Sequence, residues 1–260
     1  MPRGARERRA AIVRLATTSG LASVDELSAT FGVTASTIRR DLAQLESAGH
    51  LARTYGGAMA VNTNHEATLR QRSSEAFEAK RAIALWAAGQ VRPGETVLLD
   101  SGSTMSALAR ELTHVQNLTV VTTGLTVLQE LANVDTVQVE CLGGTLRHIS
   151  QGFVGPLTEV ALNRMTFDRA FLGADGVTAE RGICEADLHQ TRLKELMAQR
   201  AEHVYLLVHA AKLGHCPFHA WAQLPNSWTL VTDVEAGSAI VPFQERDVDV
   251  ITVDAEGHAR

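Results

Sequence analysis

Thr34, Ser36, Thr37, Arg39 and Arg40 gather hydroxyls and guanidiniums within one short stretch of the 260-residue chain. At the start of a helix such side chains suit a DNA major groove, because Arg pairs with guanine edges or clamps phosphate while Ser and Thr bind either. Arg53, Tyr55 and Gly56 fall in a Gly-ended hairpin, where they would sit beside the phosphate backbone. A second group, Asp100-Ser101-Gly102-Ser103-Thr104, follows the apolar run Thr96 to Leu99 and leads into a helical segment. Its backbone N–H groups and hydroxyls could hold an anion at the helix N-terminus, where the dipole favours negative charge. Phosphate is the obvious candidate, and an ordinary Ser/Thr helix cap is the competing reading.

The elements that must position the first group lie between Ser23 and Ala58. Asp25, Glu26 and Leu27 open a short helix, Gly32-Val33 supplies a turn, and Thr34 caps a second helix. Leu27, Phe31, Val33, Ile38, Leu42 and Leu45 recur at three- and four-residue spacing, so they pack inward against Ile12, Val13 and Leu15 of a preceding helix. Gly49 ends the reading helix. His50 to Tyr55 then form a strand and Gly56-Gly57 a tight turn, which together make a wing. Residues 1–60 carry eight basic side chains against five acidic ones, a balance of +3 in a chain whose net charge is −5, leaving −8 for the remainder. A basic head on an acidic body fits a DNA-binding module joined to something else. A plain helical bundle is the bland alternative.

Length and a 45% hydrophobic composition allow two domains with a sizeable core. Residues 1–60 form the winged helix-turn-helix, the polar stretch 61–75 reads as a linker, and 76–260 form a second, α/β domain. Residues 76–89 look helical. Strands are expected at Thr96–Leu99, Leu118–Val121, Val137–Leu142, Arg169–Leu172, Val204–Val208, Trp228–Val231 and Val248–Val253, with helices between them, including Ser106–Leu112 and Leu125–Leu131. That alternation implies a doubly wound, largely parallel sheet covered on both faces. In such sheets ligands sit beyond the carboxyl ends of the strands. Three further strand ends carry small or polar residues: Thr122-Thr123-Gly124, Gly143-Gly144-Thr145 and Gly173-Ala174-Asp175-Gly176. Converging on one crevice, they would offer backbone donors to a phosphate and carboxylates to sugar hydroxyls.

The run from Val24 to Ala58, with its IRRDL core (Ile38–Leu42) and YGGA wing (Tyr55–Ala58), closely resembles the N-terminal module of DeoR-family bacterial transcription regulators. DSGST, LGGT and FLGADG in the second half resemble the family's sensor domain, which is similar in fold to ribose-5-phosphate isomerase. The resemblance implies a repressor of a carbohydrate or related operon, acting as a homo-oligomer (dimer or tetramer) on double-stranded operator DNA and released by a phosphorylated sugar or related anionic metabolite. It places Ser101, Gly102, Ser103 and Thr104 at the phosphate and Thr122, Thr123 and Gly124 in a second loop. Gly143, Gly144, Asp175, Glu185 and Lys212 line the rest. Two departures point to a different sugar or a non-sugar ligand: Thr122-Thr123-Gly124 stands where the family has Thr-Asn-Ser, and His209-Ala210-Ala211 replaces a polar run ahead of Lys212.

His209, His215, Cys216 and His219 offer nitrogen and sulfur donors, but their spacing fits no familiar zinc site and Pro217 stiffens the run, so no metal or cofactor is expected. Cys141, Cys184 and Cys216 form no Cys-x-x-Cys pair and argue against a disulfide framework. Asp175, Glu185 and Lys212 could serve an aldose-ketose isomerase, the competing class. A reading helix and wing have no evident use in such an enzyme. With no apolar run near the roughly 18 residues that span a bilayer and no signal-peptide core, a cytoplasmic location is expected.

Overall fold

The computed structural model describes residues 4–19, 21–47, 51–54, 57–60, 66 and 68–260. It divides into two units, Met1–His65 and Glu66–Arg260.

In the first unit, helices α1 (Ala5–Ser19), α2 (Val24–Phe31) and α3 (Ala35–Ser47) accompany strands β1 (Leu21–Ser23), β2 (Leu51–Thr54) and β3 (Gly57–Ala60). Ser23 and Glu26 form a reciprocal cap: the Ser23 hydroxyl accepts from the Glu26 N–H at 3.1 Å, and the Glu26 carboxylate accepts from the Ser23 N–H at 3.1 Å. Gly32, in the left-handed region at φ 63°, stops α2. The Thr34 hydroxyl accepts from the Thr37 N–H at 3.3 Å and starts α3. Ile12, Leu27, Ile38, Leu42 and Leu45 form the core, with Val24, Phe31 and Val33 packed on it. Each buried aliphatic contributes about 1.5–3 kcal/mol. The side chains of Val13 and Leu15, placed in the same core by their spacing, lie outside the described residues, as do Gly49, His50, Tyr55 and Gly56. Strands β2 and β3 pair antiparallel with Thr54 opposite Gly57, as a wing requires. Strand β1, which the sequence did not announce, adds to the far side of β3. Three residues are too few to display an alternating pattern.

The second unit begins within the stretch read as a linker. Glu66 and Leu69 are buried, and α4 (Leu69–Ser74) is helical. After α5 (Phe77–Ala88) come β4 (Thr96–Leu99), α6 (Ser103–Glu111), β5 (Leu118–Thr122), α7 (Leu125–Leu131), β6 (Val137–Cys141), β7 (Thr145–Arg147), β8 (Gly152–Val154), α8 (Pro156–Leu162) and β9 (Phe167–Leu172). Strands β10 (Gly176–Thr178) and β11 (Gly182–Glu185), α9 (Leu188–Gln199), β12 (Ala201–Leu207), β13 (Ala220–Ala222), β14 (Thr229–Asp233), α10 (Val241–Gln244) and β15 (Asp249–Val253) complete it.

Seven strands form one parallel sheet in the order β15-β14-β12-β9-β4-β5-β6. Along β4 the pleat sends Val97 and Leu99 into one core, with Ile83 of α5 and Leu108 of α6, and Leu98 into the other, with Leu193 and Met197 of α9. Both faces are therefore covered, as the near-continuous apolar runs require. The chain winds from β4 through β5 to β6 in one direction and from β9 through β12 and β14 to β15 in the other. The direction reverses between β4 and β9, which pair with Val97 opposite Arg169 and Leu99 opposite Phe171. A ligand crevice is expected beyond the carboxyl ends of these two strands. The hairpin β7–β8 and the small antiparallel sheet β10-β11-β13 add to the sequence-based scheme.

Candidate functional site

On α3 the inward positions are Ile38, Leu42 and Leu45, which leaves Thr34, Ser36, Arg39 and Arg40 exposed and Thr37 half-buried on the other side. The Thr34 hydroxyl lies 2.9 Å from that of Ser36 and 3.0 Å from that of Thr37, so the three hydroxyls cluster at the helix start. Arg8 of α1 pairs with Asp41 at 2.6 Å, neutralising the acidic residue next to Arg40. Arg39 and Arg40 have no ion-pair partner among the described residues and present their charge outward. The Arg53 side chain, Tyr55 and Gly56 fall outside those residues.

At the β4–β9 switch point lies a partly open crevice with a cavity of about 40 Å³. Ser101, Gly102, Ser103 and Thr104 line it, together with Glu185 and Lys212. Gly102 is the N-cap of α6 with φ 124°, a left-handed value that favours glycine, and no side chain caps the helix. The competing reading of DSGST as an ordinary Ser/Thr cap does not hold here. The first N–H groups of α6 thus have no side-chain cap, and Ser103, Thr104 and Met105 line the crevice, which suits an anion.

Asp100 does not face ligand space directly. It accepts from the Ser101 N–H at 2.7 Å, the Gly173 N–H at 3.2 Å and Lys194 Nζ at 2.6 Å. Lys194 also donates to the Gly173 carbonyl at 2.7 Å and pairs with Glu185 at 2.9 Å. All three side chains are buried. Burial opposes the Lys194 charge, but Asp100 and Glu185 outweigh it and hold the ammonium above the usual lysine range. Burial pushes Glu185 up to about 7 against the pull of Lys194. This cluster ties β4, the loop after β9, β11 and α9 together beneath the crevice.

Four cations reach the crevice: Arg72, Lys80, Lys194 and Lys212. Lys212 is a pocket residue, 17% exposed and 3.9 Å from Asp175. Burial lowers its pKa, and Asp175 opposes the shift. Burial likewise pulls Lys80 down to about 8, opposed by Glu75. Asp175 accepts from Arg72 Nη1 at 3.1 Å. Several buried polar atoms of the lining have no hydrogen-bond partner among the described residues: Gln190 Oε1, His209 Nε2, and Nε and Nη2 of Arg72. Asp175, which the sequence placed in the crevice, does not line it but holds Arg72 and Lys212, with its Oδ2 left without a hydrogen bond. Because buried polar groups are nearly always paired in folded proteins, a cluster of orphans marks a place built for something else.

Not every residue placed here by sequence lines the crevice. Thr122 is buried, donating to the Leu99 carbonyl at 2.8 Å and accepting from the Gly124 N–H at 2.9 Å, so it fastens β5 to β4. The Thr123 carbonyl accepts from the Phe153 N–H at 2.7 Å. A Cβ on Gly124 would stand 3.2 Å from the Asp100 carbonyl oxygen. This loop supports the crevice from outside. Gly143 and Gly144 turn into the β7–β8 hairpin, where the Gly143 carbonyl accepts from the Thr158 hydroxyl at 2.7 Å. A side chain at Gly144 would meet Thr158 and Val154, not ligand.

Sequence reasoning missed Arg72, Lys80, Gln190 and Lys194. One signal was present: Gln190, Lys194, Met197 and Ala198 fall on a single inward stripe of α9, a polar pair where apolar residues belong. Elsewhere, His209 is buried whereas His215, Cys216 and His219 are exposed, and among the described residues no three His, Cys, Asp or Glu side chains converge as metal ligands. Cys184 is a packing residue, its thiol donating to the Phe218 carbonyl at 3.3 Å and its pKa pushed up to about 11 by burial. Among the described residues no helix is long and apolar enough to cross a membrane.

Residues 75–234 match the family model of the DeoR C terminal sensor domain, and residues 8–64 match that of the DeoR-like helix-turn-helix domain. The chain is similar to the HTH-type transcriptional regulator GlpR of Haloferax volcanii, with 36% identity over 87% of this chain and 89% of the relative. It is 33% identical to the lactose phosphotransferase system repressor of Streptococcus mutans over 88% of this chain and 92% of that protein. It is 31% identical to the glycerol-3-phosphate regulon repressor of Escherichia coli over 80% and 82%. Among solved structures, ribose 5-phosphate isomerase A of Methanocaldococcus jannaschii aligns with a TM-score of 0.38 at 18% identity, covering 51% of this chain and 52% of that one, about half its length.

Proposed function

We propose that this chain, which belongs to the DeoR family of transcriptional regulators, represses a carbohydrate or related metabolic operon until a phosphorylated sugar or similar metabolite fills the crevice. The observation that carries the ligand class is the pairing of an uncapped α6 N-terminus among four cations with a buried, partnerless acceptor on Gln190. The first binds an anion and the second requires donors such as hydroxyls. On the first unit Ser36, Thr37, Arg39 and Arg40 read the operator and Arg53, Tyr55 and Gly56 hold its backbone. One small unit buries too little surface for tight specific binding, so two or more subunits act on repeated half-sites in the cytoplasm. The ligand releases DNA through its differential affinity for two arrangements of the protein.

An isomerase reading would draw on Glu185, whose raised pKa suits a general base. Its carboxylate is already engaged by Lys194 at 2.9 Å, which favours a binding role. A thermal-shift screen of sugar phosphates on the whole chain and on Ser103→Asp tests the assignment. The parent protein is expected to gain stability with at least one compound, and the variant to lose that gain because a carboxylate replaces the hydroxyl at the anion position. Equal shifts in both would refute the crevice, and turnover of the binding compound would establish the enzyme.

A further inference from the structure

The second unit opens at Glu66, where the chain leaves the first one, and residues 66–75 are its opening segment, the connector. Charged side chains hold this connector down alongside the buried Leu69. Arg147 grips Glu66 through a two-pronged pair, and Arg72 Nη2 lies 3.7 Å from Glu66. Arg72 Nη1 donates to Asp175, and Lys80 donates to the carbonyl oxygens of Arg72 and of Glu75, the latter at 2.7 Å. Two of these anchors, Arg72 and Lys80, also line the crevice beside the open N-terminus of α6.

From this overlap we infer that the connector is itself a ligand contact, and that filling the crevice tightens the hold on residues 66–75. The inference rests on the crevice being the effector site. Arg72 hydrogen-bonds Asp175 through Nη1, its Nη2 lies 3.7 Å from Glu66 without a hydrogen bond, and its Nε is buried with no hydrogen-bond partner among the described residues. An oxyanion at the α6 N-terminus takes Nε, and shares Nη2 with the more distant Glu66, without breaking the Asp175 contact. The fork geometry of a guanidinium matches the two oxygens of a phosphate. Lys80, whose ammonium already closes the end of α4, contributes a point charge to the same anion. The ligand therefore joins α6 to α4, and the segment that carries the DNA-reading unit becomes more firmly fixed when the signal is present. His209 Nε2 and Gln190 Oε1, each 6% exposed and unpaired, face the remainder of the ligand.

Hydrogen exchange on the full chain, read by mass spectrometry with inorganic phosphate and D-ribose 5-phosphate as probes, tests this without any substitution. Exchange over residues 68–76 is expected to slow by about threefold or more in the presence of a probe that raises the melting temperature. Arg72→Gln should weaken that probe by roughly tenfold, the scale of a lost charge-assisted hydrogen bond, and erase its effect on 68–76. Lys80→Arg, which keeps the charge at the end of α4, should retain most of the protection. A probe that protects only residues 101–106, with 68–76 unchanged and Arg72→Gln binding as the parent does, would overturn the connector inference and leave the crevice standing. No binding by either probe would overturn both.

Discussion

Replacing Lys194 by Met keeps the length of the side chain but removes the charge that Asp100 and Glu185 share. The ammonium makes contacts of 2.6 Å to Asp100, 2.9 Å to Glu185 and 2.7 Å to the Gly173 carbonyl, and all three charged side chains are at most 5% exposed. Removing one member of a buried ion cluster strands the others, at a cost of about 3–5 kcal/mol. In a unit the size of Glu66–Arg260, where each kcal/mol moves the midpoint by about 2–4 °C, the melting temperature should drop by roughly 6–20 °C. The loss should depend on pH in a definite sense. Burial already raises Glu185 to about 7 against the pull of Lys194, so without Lys194 its carboxyl moves further above its unfolded value. Its contribution is then complete below about pH 4 and is lost as pH rises through the folded value. The variant should therefore lie closest to the parent near pH 5 and furthest from it near pH 8, as followed by calorimetry. Asp100→Asn and Glu185→Gln added together to Lys194→Met should recover part of the loss at pH 8. A drop of under about 3 °C, or one with no pH dependence, would refute the view that this cluster holds the crevice floor.

Two further outcomes follow from the same geometry. Arg39→Ala and Arg40→Ala should each weaken operator binding, by about 1–3 kcal/mol with relaxed specificity if the guanidinium reads a base, or with a salt slope smaller by about one if it holds phosphate; fluorescence anisotropy across a salt series separates the two, and unchanged affinity in both variants would remove α3 as the reader. Gly152→Ala places a Cβ 2.6 Å from the Ser101 hydroxyl and 2.9 Å from its Cβ, so it should displace the loop after β4 and abolish stabilisation by a phosphorylated ligand while leaving operator binding intact; undiminished thermal stabilisation would show that this loop does not bind the anion.

Where the sequence was legible, one local pattern carried the information. The runs TVLL and LTVV are apolar, short and bounded by turn residues, and they became β4 and β5. The spacing of Leu27, Ile38 and Leu42 placed the core of the first unit and, by elimination, its outer face. Helix α6 begins at Ser103, three residues ahead of the reading at Ser106, because Gly102 turns the chain with a positive φ and lets the hydroxyl-rich STMS segment enter the helix. The DSGST loop at the crevice was legible since Gly and hydroxyls after a strand are a local signal. Arg72 and Lys194 were not, since a charged residue is read by default as solvated. Their burial depends on partners far along the chain, Asp175 for one and Asp100 for the other. Glu66 and Arg147 hid the start of the second unit in the same way, by neutralising one another within a polar stretch.

The placement of the switch point also sets the order in which a newly made chain acquires its parts. The first unit, Met1–His65, precedes every residue that lines the crevice, so its residues are made before them. Beyond the β4–β9 reversal, the crevice needs Ser101 from one strand end, Lys194 from α9 and Lys212 after β12. At about 5–20 residues per second, the ribosome takes roughly 10–30 s to travel from the end of the wing to Lys212. Pairing β4 with β9 also joins segments far apart in sequence, such as Val97 and Arg169, which is intrinsically slow. For that interval every residue of the first unit has been made while the crevice still lacks lining residues, so the two parts are completed in sequence and not together.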